Sequence, residues 1–172
     1  MTAPASSTPS VLGDAYFDID QELASTRRIL ERFPDDKADW GPHDKSRTIG
    51  KLAAHFANLP GLAAMVLSED SLDVMKRTPA PEKNTAADLV EFFDSQVGVL
   101  RKAIAGIKPG DLDKQWSLKA GDRVLISQTR RNLLRVMFLS HMIHHRAQLG
   151  VYYRLLNVPV PGMYGPTADE PI

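Results

Sequence analysis

Three of the five histidines in this chain, His55, His141 and His145, have the spacing that metal chemistry requires. His141 and His145 are four residues apart, so on an α-helix both imidazoles project from one face and can reach the same ion. His55 belongs to a separate segment that also has helical periodicity. Neutral imidazole is a common ligand of divalent cations. The three residues therefore predict a metal site built from two helices.

Hydrophobic periodicity places all three imidazoles on the sides of their helices that should face the core. Burying three imidazoles with no common partner would leave several polar nitrogens unsatisfied, which favours a shared ion. The alternative, three core histidines hydrogen-bonded to backbone, stays open. One stripe consists of Leu134, Phe138, His141, His145, Gln148, Tyr152 and Leu155, and the other of Leu52, His55, Leu59, Leu62 and Val66.

Three nitrogen ligands would leave tetrahedral Zn²⁺ one open position, and Ni²⁺, Fe²⁺ or Mn²⁺ more than one, for water or substrate. Gln148 and Tyr152 continue the ligand stripe, so we expect them to orient a bound molecule or to pack as buried polar residues. His144 leaves the stripe and is expected to support the ligands or face solvent, although it could replace His145. His43 lies in a Gly-Pro loop, where loop structure or the rim of the pocket is expected.

Two better-known histidine motifs do not match. The H-E-x-x-H pattern of zinc proteases needs a glutamate after the first histidine, and Met142 stands there. A ferritin-like di-iron centre needs Glu-x-x-His, and neither His141 nor His145 has a glutamate three residues earlier.

Four helical segments must position these residues. Apolar periodicity predicts helices over roughly 11–33, over 48–68 with a kink at Pro60, from Thr85 to about 106, and over about 129–156. Short apolar runs on either side of Ala120-Gly121-Asp122 predict a small β-hairpin before the last helix. The fold class is therefore all-α, a four-helix bundle in which inward side chains build the site.

Composition limits the possible partners and location. The 172 residues carry equal numbers of acidic and basic side chains, so no global field favours nucleic acid or an anionic membrane. The arginines at 130, 131 and 135 indicate a solvated helix start. Without cysteine the chain has no disulfide or thiol nucleophile, and a cytoplasmic location is expected. We expect a flexible leader over 1–10, lacking the features of a signal peptide, and one domain over 11–172.

Three sequence segments together resemble the DinB-like superfamily of bacterial four-helix proteins, also called DinB/YfiT-like. They are Trp40-Gly41-Pro42 with Lys45-Ser46 leading into 49–55, the run from His141 to Leu149, and Pro161-Gly162-Met163-Tyr164-Gly165-Pro166. The resemblance implies a bundle that binds a divalent metal through His55, His141 and His145, and frequent homodimers. In characterised branches it implies transfer or isomerisation with a low-molecular-weight thiol. Ala147 departs from the family's frequent glycine and is expected to reshape the pocket wall.

The sequence is compatible with three functions. A bound metal could activate a thiol cosubstrate in a transferase, or a water in a hydrolase, or the protein could be a non-catalytic stress-response module that binds a metal or ligand. A carboxylate near the metal would favour hydrolysis, and a cationic rim would favour an anionic thiol.

Metal binding is expected to weaken below about pH 6, because protons compete for imidazole. The large apolar residues Phe56 and Phe92, both off the core stripes, predict a homodimer interface.

Overall fold

The computed structural model describes residue 16 and residues 18–77 and 84–171. These residues form mostly helix, together with a small sheet. The predicted leader over 1–10 and the predicted helix start near residue 11 lie outside the described residues. The helices are α1 (Ile19–Leu30), α2 (Ile49–Ala57), α3 (Leu59–Ser68), α4 (Ala86–Ala105), α5 (Arg130–Leu133) and α6 (His141–Leu155), and the strands are β1 (Ser71–Asp73), β2 (Gln115–Ala120) and β3 (Arg123–Thr129).

Threonine caps define where three of the helices begin. The hydroxyls of Thr48, Thr85 and Thr129 each accept a hydrogen bond from the backbone N–H three residues later, at the starts of α2, α4 and α5. Such a cap satisfies one of the N–H groups that a first turn leaves without a partner. The predicted starts of these helices are confirmed to within one residue.

The segment over 48–68 forms two helices rather than one kinked helix. Asn58 ends α2 and begins α3, and Pro60 lies in the first turn of α3. Proline fits this position because the first-turn N–H groups have no helical partner in any case. The chain therefore restarts its helix at Leu59. The first helix was also predicted too long, since α1 ends at Leu30 and only turns continue to residue 32.

The predicted hairpin is confirmed, with β2 and β3 pairing antiparallel around Gly121, which adopts a positive φ of 59°. A third strand, β1, pairs parallel to β2 and was missed, because three residues are too few to show periodicity. Arg130, predicted to be solvated, is buried instead. Its guanidinium donates to Glu69 O at 2.9 Å and to Asp70 Oδ1 at 3.1 Å, which ties the last helix to the segment before β1.

The last helix contains a π-helical segment, Leu134–Ser140, between α5 and α6. The sequence did not predict it. A π turn widens the helix by one residue per turn and is frequent near functional sites. Here it ends where α6 begins at His141, so His141 and His145 still have true α-helical spacing.

The core forms where α1, α4 and the last helix pack around α2 and α3. Most of α2 is buried, including Phe56, so the prediction that Phe56 lies at a surface interface is wrong. In α6 the deepest apolar side chains are Met142, Leu149 and Tyr153. The histidine stripe therefore runs along the edge of the core, and its last predicted member, Leu155, is 58% exposed at the helix end. None of the described helices combines the length and apolarity needed to cross a membrane.

Candidate metal centre

The imidazoles of His55, His141 and His145 meet where α2 packs against α6. Their ring centres are 4.4–5.2 Å apart. His141 Nε2 lies 2.7 Å from His145 Nε2 and 3.4 Å from His55 Nε2. One nitrogen from each ring therefore points to a common centre, and all three lie within 4.8 Å of one another.

Hydrogen bonds fix the tautomers of the two histidines on α6. His141 Nδ1 lies 3.3 Å from Met137 O, and a carbonyl can only accept, so Nδ1 carries the proton. His145 Nδ1 lies 2.7 Å from Gln148 Oε1 and donates to it in the same way. In neutral rings both Nε2 atoms then present lone pairs to each other. Such a second hydrogen bond is the usual way in which a metal-binding histidine is oriented.

This donor set fits a divalent cation. Two lone pairs facing each other at 2.7 Å repel unless a proton or a cation lies between them. Metal–nitrogen bonds of about 2.0–2.1 Å at tetrahedral angles separate two nitrogens by about 3.3–3.4 Å. The distance between His55 Nε2 and His141 Nε2 matches this value, and the His141–His145 distance is shorter.

The environment keeps the three imidazoles neutral, which is the ligating form. Burial lowers the pKa of His55 from 6.5 to about 3, with further lowering by the charges of Arg47, of the other two histidines and of Arg77. Burial also lowers the pKa of His145 to about 4, although its hydrogen bond to Gln148 opposes the shift. The pKa of His141 falls for the same main reason. The lowered pKa values mean that protons compete for these imidazoles at a lower pH than they do for exposed histidines.

The charges that act on the three histidines are all cationic among the described residues. Arg47 influences all three and Arg77 influences His55, and no carboxylate contributes to any of them. The charge that the described residues direct at the candidate centre is therefore positive.

Of the two polar residues that continue the stripe, Gln148 contacts the triad, because its Oε1 accepts a hydrogen bond from His145 Nδ1. Tyr152 contacts other residues. The Tyr152 hydroxyl donates to Arg47 O at 3.4 Å, and its ring packs edge-on against Trp40 at 5.6 Å. Trp40 thereby anchors the loop before α2 to the body of the protein.

His144 and His43 lie outside the triad. His144 is exposed, and its ring contacts that of His145 at 5.0 Å between centres. His43 is also exposed, and its Nδ1 accepts the backbone N–H of Lys45 at 3.0 Å, so it stabilises its own loop. Of the two histidines available on α6 beside His141, it is therefore His145 that joins the cluster.

Ala147 does not reshape the histidine pocket. It lies on the opposite side of α6, at the wall of a surface cavity of about 470 Å³ between the helix and residues 160–167.

Sequence reasoning missed Arg47, Arg77 and Met137. Arg47 precedes the cap of α2 and lies outside the helix, so the helical periodicity of the sequence could not indicate it. Nothing in the sequence around Arg77 indicates that it approaches His55.

The chain belongs to the DinB superfamily, whose family model matches residues 18–149. It is also similar to a Bacillus subtilis (strain 168) protein named uncharacterized protein YrdA. The two are 23% identical over 152 residues, which cover 87% of this chain and 85% of the relative.

Two solved structures share the fold. A DinB-like protein from Bacillus cereus ATCC 10987 superposes with a TM-score of 0.69 at 18% identity, over 87% of this chain and 95% of the other. The DinB-like protein YjoA from Bacillus subtilis gives a TM-score of 0.68 at 19% identity, over 87% of this chain and 97% of the other. This chain therefore shares its fold with these two proteins.

Proposed function

We propose that this protein is a metal-dependent enzyme that uses a low-molecular-weight thiol as a cosubstrate. His55, His141 and His145 would hold one divalent ion, such as Zn²⁺, Ni²⁺, Fe²⁺ or Mn²⁺. The observation that carries the proposal is the convergence of three neutral imidazole nitrogens from two helices, two of them oriented by hydrogen bonds through Nδ1. Three protein ligands leave room for an exogenous one.

The surroundings favour a thiol over a hydrolytic water. Hydrolysis at such a site usually needs a general base, and the cluster of possible ligands found among the described residues consists of histidines with no carboxylate. The chain has no cysteine, so a sulfur nucleophile must come from a second molecule. A divalent cation deprotonates a thiol that coordinates it, whereas a free thiol with a pKa of about 8.5 is mostly protonated at neutral pH.

The proposed reaction is a substitution at an electrophilic carbon. The thiolate sulfur supplies the electron pair for a new C–S bond, the bond to the leaving group breaks, and the leaving group departs with its electrons. The thiol proton is released to solvent. The chain's contribution is to keep the imidazoles neutral, through burial, and to hold two of them in place through Met137 O and Gln148 Oε1.

Turnover of a model electrophile tests the proposal. Wild-type protein loaded with each metal would be mixed with glutathione, bacillithiol, mycothiol or coenzyme A and with 1-chloro-2,4-dinitrobenzene, and chloride release would be followed above the uncatalysed rate. We expect release only with metal and one of the thiols together. His141→Ala should abolish it.

His144→Ala is the matched control, since it removes a neighbouring histidine outside the triad and should leave turnover unchanged. Equal rates for wild type and His141→Ala would contradict an enzymatic role of the site in this reaction. If the metal still binds under those conditions, the non-catalytic metal- or ligand-binding module becomes the better account.

A further inference from the structure

The surface cavity of about 470 Å³ beside α6 has the size and the walls of a small-molecule site. Such sites usually have volumes of about 300–1,000 Å³, mainly apolar walls and a few polar groups. Here the walls come from α6 on one side and from the C-terminal segment, residues 160–167, on the other. The apolar side chains that supply most of the contact surface are Ile143, Ala147, Val151, Pro161, Met163 and Pro166.

The cavity is separate from the candidate metal centre. Ile143 and Ala147 each follow a histidine of the triad by two residues, which on an α-helix turns the side chain by about 200°. The residues that line the cavity include none of the three histidines. The helix α6 therefore lies between the two places, and a molecule bound in the cavity would not occupy the centre.

Ion pairs hold the C-terminal wall in place. Glu170 pairs with Arg28 and Arg32 at the end of α1, and Asp169 pairs with Arg154 of α6 at 2.6 Å. An exposed ion pair contributes little to stability by itself, but these three act on one short segment. The cavity is thus formed without a ligand, so binding would require little ordering of the chain.

The polar side chains of the wall already have partners within the chain. The two arginines are paired with carboxylates, and the two hydroxyl groups donate hydrogen bonds. These side chains are Arg146, Arg154, Tyr164 and Thr167. A charged ligand would find no free counter-charge among them, and removing its charge from water would be unfavourable. The cavity therefore suits an uncharged molecule.

Tyr164 offers an aromatic surface to this molecule. Its ring is 63% exposed at the cavity, although its hydroxyl is fixed by a hydrogen bond of 2.8 Å to the carboxylate of Glu22. The guanidinium of Arg146 lies 5.2 Å from the ring centre and holds the ring further. Stacked or edge-on contacts between aromatic rings are favourable beyond the area that they bury.

We propose that this cavity is a second binding site, for an uncharged aromatic molecule, and that binding there does not depend on the metal. The chemistry of the wall supports this class of ligand, because it combines apolar side chains, one exposed tyrosine ring and arginines whose charges are neutralised.

Fluorescence titration of the full chain with two related probes tests the proposal. N-phenyl-1-naphthylamine is uncharged, and 8-anilinonaphthalene-1-sulfonate adds a sulfonate to the same rings. Wild type should bind about one molecule of the uncharged probe per chain. It should bind this probe at least about tenfold more tightly than the sulfonate, because the sulfonate has no free cation in the wall.

Two substitutions in the wall should weaken binding of the uncharged probe at least about tenfold. Ala147→Phe fills part of the cavity from an exposed position of α6, and Val151→Glu places a charge on the same wall. Val99→Phe is the matched control, because it adds a ring at a 49% exposed position of α4 that does not line the cavity. It should bind the probe as wild type does, and so should His141→Ala.

Thermal unfolding of each variant would identify any loss of folding, and Val151→Glu keeps the test decisive if Ala147→Phe does not fold. Unchanged affinity in the folded wall variants would overturn the proposal, as would equal or tighter binding of the sulfonate by wild type. Loss of binding in His141→Ala would place the probe at the histidines and would also overturn it.

Metal analysis of the same samples separates this test from that of the proposed function. Binding of the uncharged probe to protein that holds no metal, with loss in the wall variants, would support the cavity site even where the metal site fails. Protein that holds metal but does not bind the probe would reject the cavity site alone.

Discussion

Replacing Arg146 with methionine should destabilise the protein far more than replacing an exposed arginine. Arg146 follows His145 on α6, and its guanidinium donates to Glu22 Oε2 at 2.5 Å and to Glu22 O at 3.1 Å on α1. Both side chains are buried, at 3% and 4% exposure. Tyr164 adds a hydroxyl that bonds both partners. Methionine keeps much of the volume but leaves the carboxylate of Glu22 without its cation.

Breaking a buried ion pair by removing one partner costs about 3–5 kcal/mol, since the remaining charge is uncompensated. For a domain of this size each kcal/mol lowers the melting temperature by about 2–4 °C. Arg146→Met is therefore expected to lower the melting temperature by about 6–20 °C. Arg101→Met, which removes the exposed pair with Asp20, should cost about 0–1 kcal/mol.

Urea unfolding and calorimetry of the metal-free proteins would measure both changes. A double variant, Glu22→Leu with Arg146→Met, should recover part of the loss because no charge is left buried. A destabilisation by Arg146→Met no larger than that by Arg101→Met would refute the reasoning, as would a double variant no more stable than Arg146→Met.

Three further predictions concern packing, pH and assembly. Gly50→Ala should lower the free energy of unfolding by about 1–3 kcal/mol, because the added Cβ would lie 2.8 Å from the backbone oxygen of Ala38. Gly98→Ala is the control, since no atom lies within 4 Å of its added Cβ, and it should be neutral or stabilising in the same urea titration. In the metal-free protein the free energy of unfolding should fall as pH drops from 6.5 toward about 4, because the unfolded chain protonates its histidines while folded His55 and His145, with pKa values of about 3 and 4, do not. The pH dependence should flatten in a His55→Gln/His145→Gln variant, and an unchanged slope would count against the burial of these rings. Light scattering at micromolar concentration should give a homodimer, since the last helix exposes Val136, Val151 and Leu155; a strict monomer would contradict this.

Much of the architecture was predictable because its signals are local. Threonine caps and long amphipathic stripes marked the helices, and the Gly121 turn marked the hairpin. The features that the sequence did not reveal depend on tertiary contacts. β1 is a strand only because β2 pairs with it, and Arg130 is buried only because Glu69 O and Asp70 accept its hydrogen bonds.

The candidate site shows the same division. Spacing of four on α6 and the stripe on α2 were enough to select His55, His141 and His145, and the structure brings these three together. The hydrogen bond from His141 Nδ1 to Met137 O involves the π-helical segment, which the hydrophobic periodicity of the sequence does not indicate. Phe56 was assigned to the surface because it lies off the predicted stripe. That assignment is wrong because α2 is buried on nearly every side, which a stripe on one face does not indicate.

The central claim, a metal ion held by three histidines, is tested most directly by the metal content of protein purified without a metal-affinity resin. Elemental analysis should give close to one divalent ion per chain for wild type and for His144→Ala, because His144 lies outside the cluster. His55→Ala, His141→Ala and His145→Ala should each lose the ion. Retention of metal by all three of these variants, or its absence from wild type even after loading with Zn²⁺, Ni²⁺, Fe²⁺ and Mn²⁺, would contradict the account.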